Sequence, residues 1–330
     1  MSGRKFRFAL SAAVVLMVMM VILLWQPSHR SPVDKVTISA GQILSALIYV
    51  AADKGYFAEE GADVTLVMKP TGKQSLAMVT DGTADVAAVA EYPMMVASIA
   101  GQPVVVFATI MDSYREISVV ARKDAGITSP KDLVGKTIAF LPGTNSEYFA
   151  SVFLEYYGIP SSAVTLVPVA PEEASRAVID GKVSALSALV AMRIDILKTL
   201  GDRAVLFMED GIYTNMWTLT TRSDFVEHRP ETVARLLRAL LKAEHFAAHH
   251  RDETIAIVAR HLQISPDDVA SLWNIYNFGV KLDQTLLANL ESEARWKMKG
   301  QGAGKIPNFA NNIYLDGLLS VEPGRVTVAH

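Results

Sequence analysis

Two stretches place small polar and acidic residues where a strand-like run gives way to a helix-like one. In "LPGTNSEYF" (Leu141–Phe149), Gly143, Thr144, Asn145, Ser146 and Glu147 precede an apolar-periodic run. In "PTGKQS" (Pro70–Ser75), Thr71, Gly72 and Lys73 do the same. The chemistry such stretches supply is recognition. The first N–H groups of a helix need partners, and its dipole favours an anion there. Thr144 and Glu147 also stand at capping-box spacing, so they can serve the helix alone. In "AEYP", Glu91 is a carboxylate just past an apolar run, and Tyr92 offers a ring for stacking. A capping glutamate and a packing tyrosine would read the same way. Gln42 and Ser45 in "AGQILS" can face a ligand, and Ser45 can equally face the first helical turn. Asn215 and Trp217 in "YTNMW" suit a cleft wall, and Trp217 suits a core nearly as well. Glu91 and Glu147, each beside a helix start, would read a zwitterion, with its anionic end on N–H groups and its amine on a carboxylate.

No catalytic set accompanies these residues. His245 and His249 in "HFAAH" have the i, i+4 spacing of a zinc pair, but the glutamate of His-Glu-x-x-His is absent. Their amphipathic run reads as a solvated face. Gly-x-Ser-x-Gly, phosphate-loop and Gly-x-Gly-x-x-Gly motifs are absent too. The chain has 0 cysteines, which removes disulfides, thiolate metal ligands and cysteine nucleophiles. The expectation is therefore no enzyme activity, no metal and no cofactor. A net charge of −3 without a long basic run excludes a nucleic-acid partner. A hydrophobic content of 51% with 20% charged residues is that of a folded chain with a greasy leader.

The leader is residues 1–32. Arg4, Lys5 and Arg7 precede the uncharged run Phe8–Trp25, and "WQPSHRSP" after it lacks a clear small-x-small cleavage site. The run is long for a secretory signal and just long enough to span a bilayer. An uncleaved anchor with the body outside is expected, with a cleaved signal as the close alternative.

From Val36 onward, short β-rich runs alternate with helical ones: "VTISA", "ADVTLVM", "ADVAAVA", "VVVFATI", then "KTIAFL", "VTLVPVA", "VSALSAL", "AVLFME" and "MWTLTTR". The rhythm predicts a parallel-rich sheet covered by helices. From Arg229 the pattern is mostly helical, including "SPDDVASLWNIYNF". A faint repeat links "LAMVTDGTADVAAVA" (Leu76–Ala90) with "SRAVIDGKVSALSAL" (Ser175–Leu189): a helix end, an Asp-Gly stop and a small-residue strand. Two lobes on one plan would produce it, and so would chance.

Three segments in order carry a resemblance: "YVAADKGYFAEEGADVTLV", "DGTADVAAVAEYPMMVASIAGQPVVVFA" and "SPKDLVGKTIAFLPGTNSEYF". Together they resemble the periplasmic solute-binding proteins of the nitrate, sulfonate, taurine and thiamine-pyrimidine type, over about Val36 to Leu319. The resemblance implies an α/β, two-lobe, type II-like periplasmic-binding-protein fold with a helical C-terminal return. Lobe 1 would be residues 33–120 plus 220–330, and lobe 2 residues 121–219. The implied function is capture of a small organic solute, sulfonate-, taurine- or pyrimidine-like, for an ABC importer. Its partner would be an inner-membrane permease, and the protein a monomer in the periplasm or on the outer face of the cytoplasmic membrane. A membrane-tethered sensing domain and a pyrimidine-precursor synthase on the same scaffold are the alternatives. Such synthases need a cysteine-rich stretch. One departure bears on the ligand: Ser184 stands where the family pattern has aspartate, and its aromatic-Glu-Pro element is missing.

Overall fold

The structure, a computed structural model, describes residues 33–299 and 305–329. The expected leader, residues 1–32, lies outside them. No helix among the described residues is long and apolar enough to cross a membrane.

Two sheets organise Asp34 onward. The strands are β1 Asp34–Ala40, β2 Ala62–Met68, β3 Val86–Ala90, β4 Val104–Ser113, β5 Ile117–Arg122, β6 Thr137–Phe140, β7 Thr165–Pro168, β8 Ala185–Leu189, β9 Ala204–Phe207, β10 Asn215–Arg222 and β11 Asn277–Lys281. The helices are α1 Ala46–Asp53, α2 Tyr56–Glu59, α3 Gly72–Thr80, α4 Glu91–Ile99, α5 Asn145–Tyr156, α6 Pro171–Ile179, α7 Val190–Leu200, α8 Ser223–His228, α9 Pro230–His249, α10 Arg251–Leu262, α11 Pro266–Leu272, α12 Gln284–Lys299 and α13 Asp316–Val321. The first sheet is ordered β11-β4-β10-β3-β1-β2 and the second β7-β6-β8-β5-β9. The chain passes between sheets at 114–116 and returns at 208–214.

Strand burial follows position. All ten residues of β4 are buried, the signature of a strand covered on both faces, whereas edge strand β2 is half-exposed. The sheets are mixed, which corrects the parallel-rich expectation. β1, β2 and β3 are parallel, but β10 inserts antiparallel between β3 and β4, and β11 pairs antiparallel with β4. β11 also corrects the helical reading of the end of "SPDDVASLWNIYNF", within a return expected to be mostly helical. "NFGVK" follows a short 3-10 turn, Trp273–Ile275, and a strand of five residues has no periodicity of its own to announce it.

The repeat is structural. β3 lies beside β1 as β8 lies beside β6, in equivalent registers (Ile38↔Val86, Ile138↔Ala185). Both preceding helices end alike. The N–H of Asp81 and of Asp180 closes the last turn, and Gly82 and Gly181 take φ of 80° and 75°, which only glycine adopts without strain. Ser184 belongs to this plan. Its N–H bonds the Thr137 carbonyl at 3.0 Å, as the N–H of Asp85 bonds that of Thr37 at 2.9 Å. It therefore opens β8 at the end away from Leu189.

The helical return is tied to the first sheet by ion pairs. Arg238 and Lys242 both reach Glu60 at 2.7 Å, and Arg260 reaches Asp53 at 2.6 Å. Thr232 donates to Asp34 at 2.7 Å.

Candidate functional site between the two sheets

The carboxyl ends of the parallel strands of both sheets point to one region, where open α/β sheets gather ligands. Between them lies a cavity of about 510 Å³. The first sheet contributes the loops after β1 and β2 (Gly41–Leu44, Pro70 and Thr71). The second contributes the loop after β7 (Pro171 and Glu172) and the junction of β8 with α7 (Leu189–Met192). Leu262, Ile264, Asp268, Leu272 and Tyr276 of the return close the third side. A narrow extension of about 20 Å³ runs inward past Gly72, Lys73, Thr144, Asn145, Asn215 and Trp217, sharing Gln42, Leu44, Thr71, Glu116 and Leu189 with the cavity.

The sequence-derived candidates divide on these walls. Gln42 and Thr71 line both spaces. Gln42 Nε2 donates to the Pro70 carbonyl at 2.8 Å, drawing together the loops after β1 and β2. Thr71 closes a capping box with Gln74, so its own N–H is taken by Gln74 Oε1 at 3.2 Å. Gly72 lies under Trp217, where a Cβ would come within 2.8 Å of the indole. Trp217 Nε1 donates to Ser45 Oγ at 3.0 Å, which occupies both side chains. Lys73 spans to the second sheet and donates to the Pro142 carbonyl at 2.9 Å. The stretches "PTGKQS" and "LPGTNSEYF" therefore touch, and Gly143 lies against the Lys73 side chain.

The turn at Gly143–Glu147 is built differently from the expected capping box. Thr144 Oγ1 accepts from the Ser146 N–H at 3.3 Å, and Glu147 reaches back to the Gly143 N–H at 2.6 Å, one residue before the cap. The other Glu147 oxygen pairs with Lys297 of α12 at 2.6 Å. Ser146 is fully buried and spans from the Leu141 N–H (3.0 Å) to the Ser187 carbonyl (2.6 Å). Neither Ser146 nor Glu147 lines the cavity.

Glu91 and Tyr92 are core residues. Tyr92 is fully buried and packs against Tyr148 and Trp296, with ring centroids 6.1 and 6.3 Å away. Glu91 accepts from Tyr213 Oη (2.6 Å), Met216 N (3.0 Å) and Asn289 Nδ2 (3.1 Å). Asn145 Nδ2 reaches Tyr213 Oη at 2.8 Å and Asn215 Oδ1 at 2.6 Å in the same network. Tyr213 Oη also lies 3.0 Å from Glu293 Oε1. One phenolic proton cannot fully serve two carboxylates, so the arrangement favours a proton held between Glu91 and Glu293. Burial pushes both up from the usual carboxylate range, and the nearby Glu91 carboxylate adds to the rise at Glu293. The zwitterion reading is corrected here: both carboxylates that it needed are engaged within the protein.

The residue that sequence reasoning passed over is Glu116, in the 114–116 passage. It is 4% exposed and lines both the cavity and its extension. The Tyr276 hydroxyl donates to it, and Oε2 has no hydrogen-bond partner among the described residues. Burial pushes its carboxyl up to about 7, against the Tyr276 bond, nearby Arg193 and the Val190 N–H, which all favour the charge. The signal that singled out Glu91, a carboxylate at the edge of a buried strand, is equally present in "DSYREISVV".

These buried acids set a pH dependence. For Glu116 the folded value, about 7, exceeds the ordinary 4.5. Its contribution is full below the ordinary value and is lost as pH rises through the folded one. Glu91 and Glu293 act in the same direction. Asp132, held at about 2 by the Thr128 and Ser129 N–H groups, acts oppositely and loses its contribution as pH falls. The melting temperature should therefore be highest near pH 5 and fall by roughly 5 °C by pH 8. Calorimetry across that range checks this, and a flat or rising profile would refute it.

A two-sheet α/β architecture with a cavity where the strand ends of both sheets meet is the fold of the periplasmic binding proteins. The alkanesulfonate-binding protein SsuA from Xanthomonas axonopodis pv. citri, solved with MOPS bound, has this fold. It superposes with a TM-score of 0.74 at 17% identity over 86% of this chain and 99% of that one. The chain belongs to the NMT1/THI5 like family, whose profile matches residues 42–254. It is 26% identical over 217 residues to the formylaminopyrimidine-binding protein of Halalkalibacterium halodurans, a match covering 64% of each protein, just under two thirds of the relative's length. It is 24% identical over 231 residues to the taurine-binding periplasmic protein of Escherichia coli, covering 67% of this chain and 71% of that protein.

Proposed function

We propose that this protein is the extracytoplasmic solute-binding component of an ABC importer. It captures a small organic solute between two lobes and presents it to an inner-membrane permease. The observation that carries this reading is the cavity of about 510 Å³ where the strand ends of both sheets meet, large enough for a small molecule. The lobes would be those named above, residues 33–120 with 220–330, and 121–219, with the bounds moved a few residues so that β5 (Ile117–Arg122) goes with the second sheet and β10 (Asn215–Arg222) with the first. Two crossings of the chain between sheets suit a hinge, and binding would shift the population toward the closed form. The relatives named for sulfonate, taurine and formylaminopyrimidine binding support solute capture outside the cytoplasm. With 0 cysteines, a binding protein is favoured over a cysteine-dependent enzyme on the same scaffold.

A thermal-shift screen of alkanesulfonates, taurine, nitrate, pyrimidines, aromatic acids and amines tests this. A solute bound at about 100 times its Kd should stabilise the protein by about 2.7 kcal/mol and raise its melting point accordingly. No rise with any of them would overturn the reading.

A further inference from the structure

Resting on that reading of the cavity, we infer that Glu116 is a specificity-determining residue that seats the cationic head of the solute. The solute is then an amine or amidine with an apolar body, and not a sulfonate.

The first argument is the charge of the walls. The ionisable side chains lining the 510 Å³ cavity include Glu116, Glu172 and Asp268, and among the described residues no Lys or Arg lines it. An anion there would face the Glu172 and Asp268 carboxylates at the rim and find no cationic side chain among the described lining residues to offset them. The second argument is where the anion-binding groups went. Three features of the loops suit an anion: the N–H of Thr71, the N–H of Gly143 and the Lys73 ammonium. The two N–H groups are taken by Gln74 and by Glu147, and one of the three ammonium donors of Lys73 is directed to the Pro142 carbonyl. The third is Glu116 itself. It is nine-tenths buried and more, lies where the cavity narrows, and keeps Oε2 without a partner among the described residues. A buried carboxylate oxygen left unpaired is costly, and a ligand N–H is the group that relieves it. Asn215 Nδ2, buried and also unpartnered, lies in the same extension and offers a donor to an acceptor on the solute.

The groups facing Glu116 agree. Tyr276 donates one hydrogen bond to it from the return. Arg193 on α7 is close enough to favour the charged form, but its Nη1 is directed to the Arg115 carbonyl at 2.9 Å and to Ser118 Oγ at 3.3 Å. Glu172 and Asp268 are exposed at the rim, where they would draw a cation inward. Leu44, Leu189, Val190, Met192, Ile194 and Leu272 supply the apolar walls for the body of the solute. A cation arriving at Glu116 would displace the proton that burial holds there, so binding would release a proton near neutral pH.

Benzamidine and benzenesulfonate test the assignment, because they carry one ring with opposite charges. Thermal shift and calorimetry on the full chain should show stabilisation by benzamidine and none by benzenesulfonate. Glu116→Gln, which keeps the shape and the Tyr276 contact, should weaken benzamidine by about tenfold or more. Calorimetry of the wild type near pH 6.5, in two buffers of different ionisation enthalpy, should register proton release, and this decides the matter if E116Q does not fold. Benzenesulfonate binding without benzamidine, unchanged affinity in E116Q, or binding without proton release would each overturn the cation seat while leaving solute capture standing. Binding of neither probe, nor of any solute in the wider screen, would overturn solute capture as well.

Discussion

Replacing Glu91 with alanine is expected to lower the unfolding free energy by about 3–5 kcal/mol at neutral pH. The carboxyl group is fully buried and joins four parts of the chain. It accepts from Tyr213 ahead of β10, from the Met216 backbone within β10 and from Asn289 on α12, and Asn145 of α5 approaches it at 3.4 Å. Truncation leaves these donors short of an acceptor where water cannot replace it. Glu91→Gln separates the polar network from the charge. Its amide oxygen keeps an acceptor, and it removes the repulsion with Glu293, so it should cost much less and should flatten the decline in stability toward pH 8. Urea unfolding of both variants at pH 5 and pH 8 checks this. An alanine variant as stable as the wild type would show that the network does not hold the two sheets' elements together.

The second large effect is at Gly41. A Cβ there would lie 1.8 Å from the Lys69 carbonyl oxygen and 2.7 and 2.8 Å from the carbon and nitrogen of that residue. The obstacle is backbone, which no rotamer change can move aside. The two chains are drawn this close by the Lys69 N–H, which extends the β1–β2 pairing to Ala40 O at 2.6 Å. Gly41→Ala must part the loops after β1 and β2 and is expected to cost at least about 3 kcal/mol. Those loops carry Gln42, Pro70 and Thr71, so the cavity wall should fail with them. Circular-dichroism melts and a thermal shift with whichever solute binds the wild type measure both losses. A variant melting with the wild type would mean that the loops can separate freely.

Much of the fold was legible because it is written locally. Alternating β-rich and periodic runs, the Asp-Gly stops at 81–82 and 180–181, and the polar helix starts are each complete within a dozen residues. The repeat and the family resemblance follow from the same local order. What the sequence left open depends on partners far along the chain. β10 pairs with β3 across more than a hundred residues, and β11 is a strand only because the edge of β4 is there to receive it.

The site divides on the same line. Loops beyond strand ends are found from the order of elements, and so Gln42, Thr71, Gly72, Lys73, Thr144, Asn145, Asn215 and Trp217 were located near the cavity by sequence. Where a carboxylate points is decided by what surrounds it. Glu91, Glu116 and Glu147 look alike in the sequence, each at the border of an apolar run. Tertiary packing turns Glu91 toward Tyr213 and Glu293, gives Glu147 to Lys297, and leaves only Glu116 of the three with a buried oxygen unpaired at the cavity. The physical reason is that burial and pairing of a charge are set by groups from other elements, and these meet only when the chain has folded.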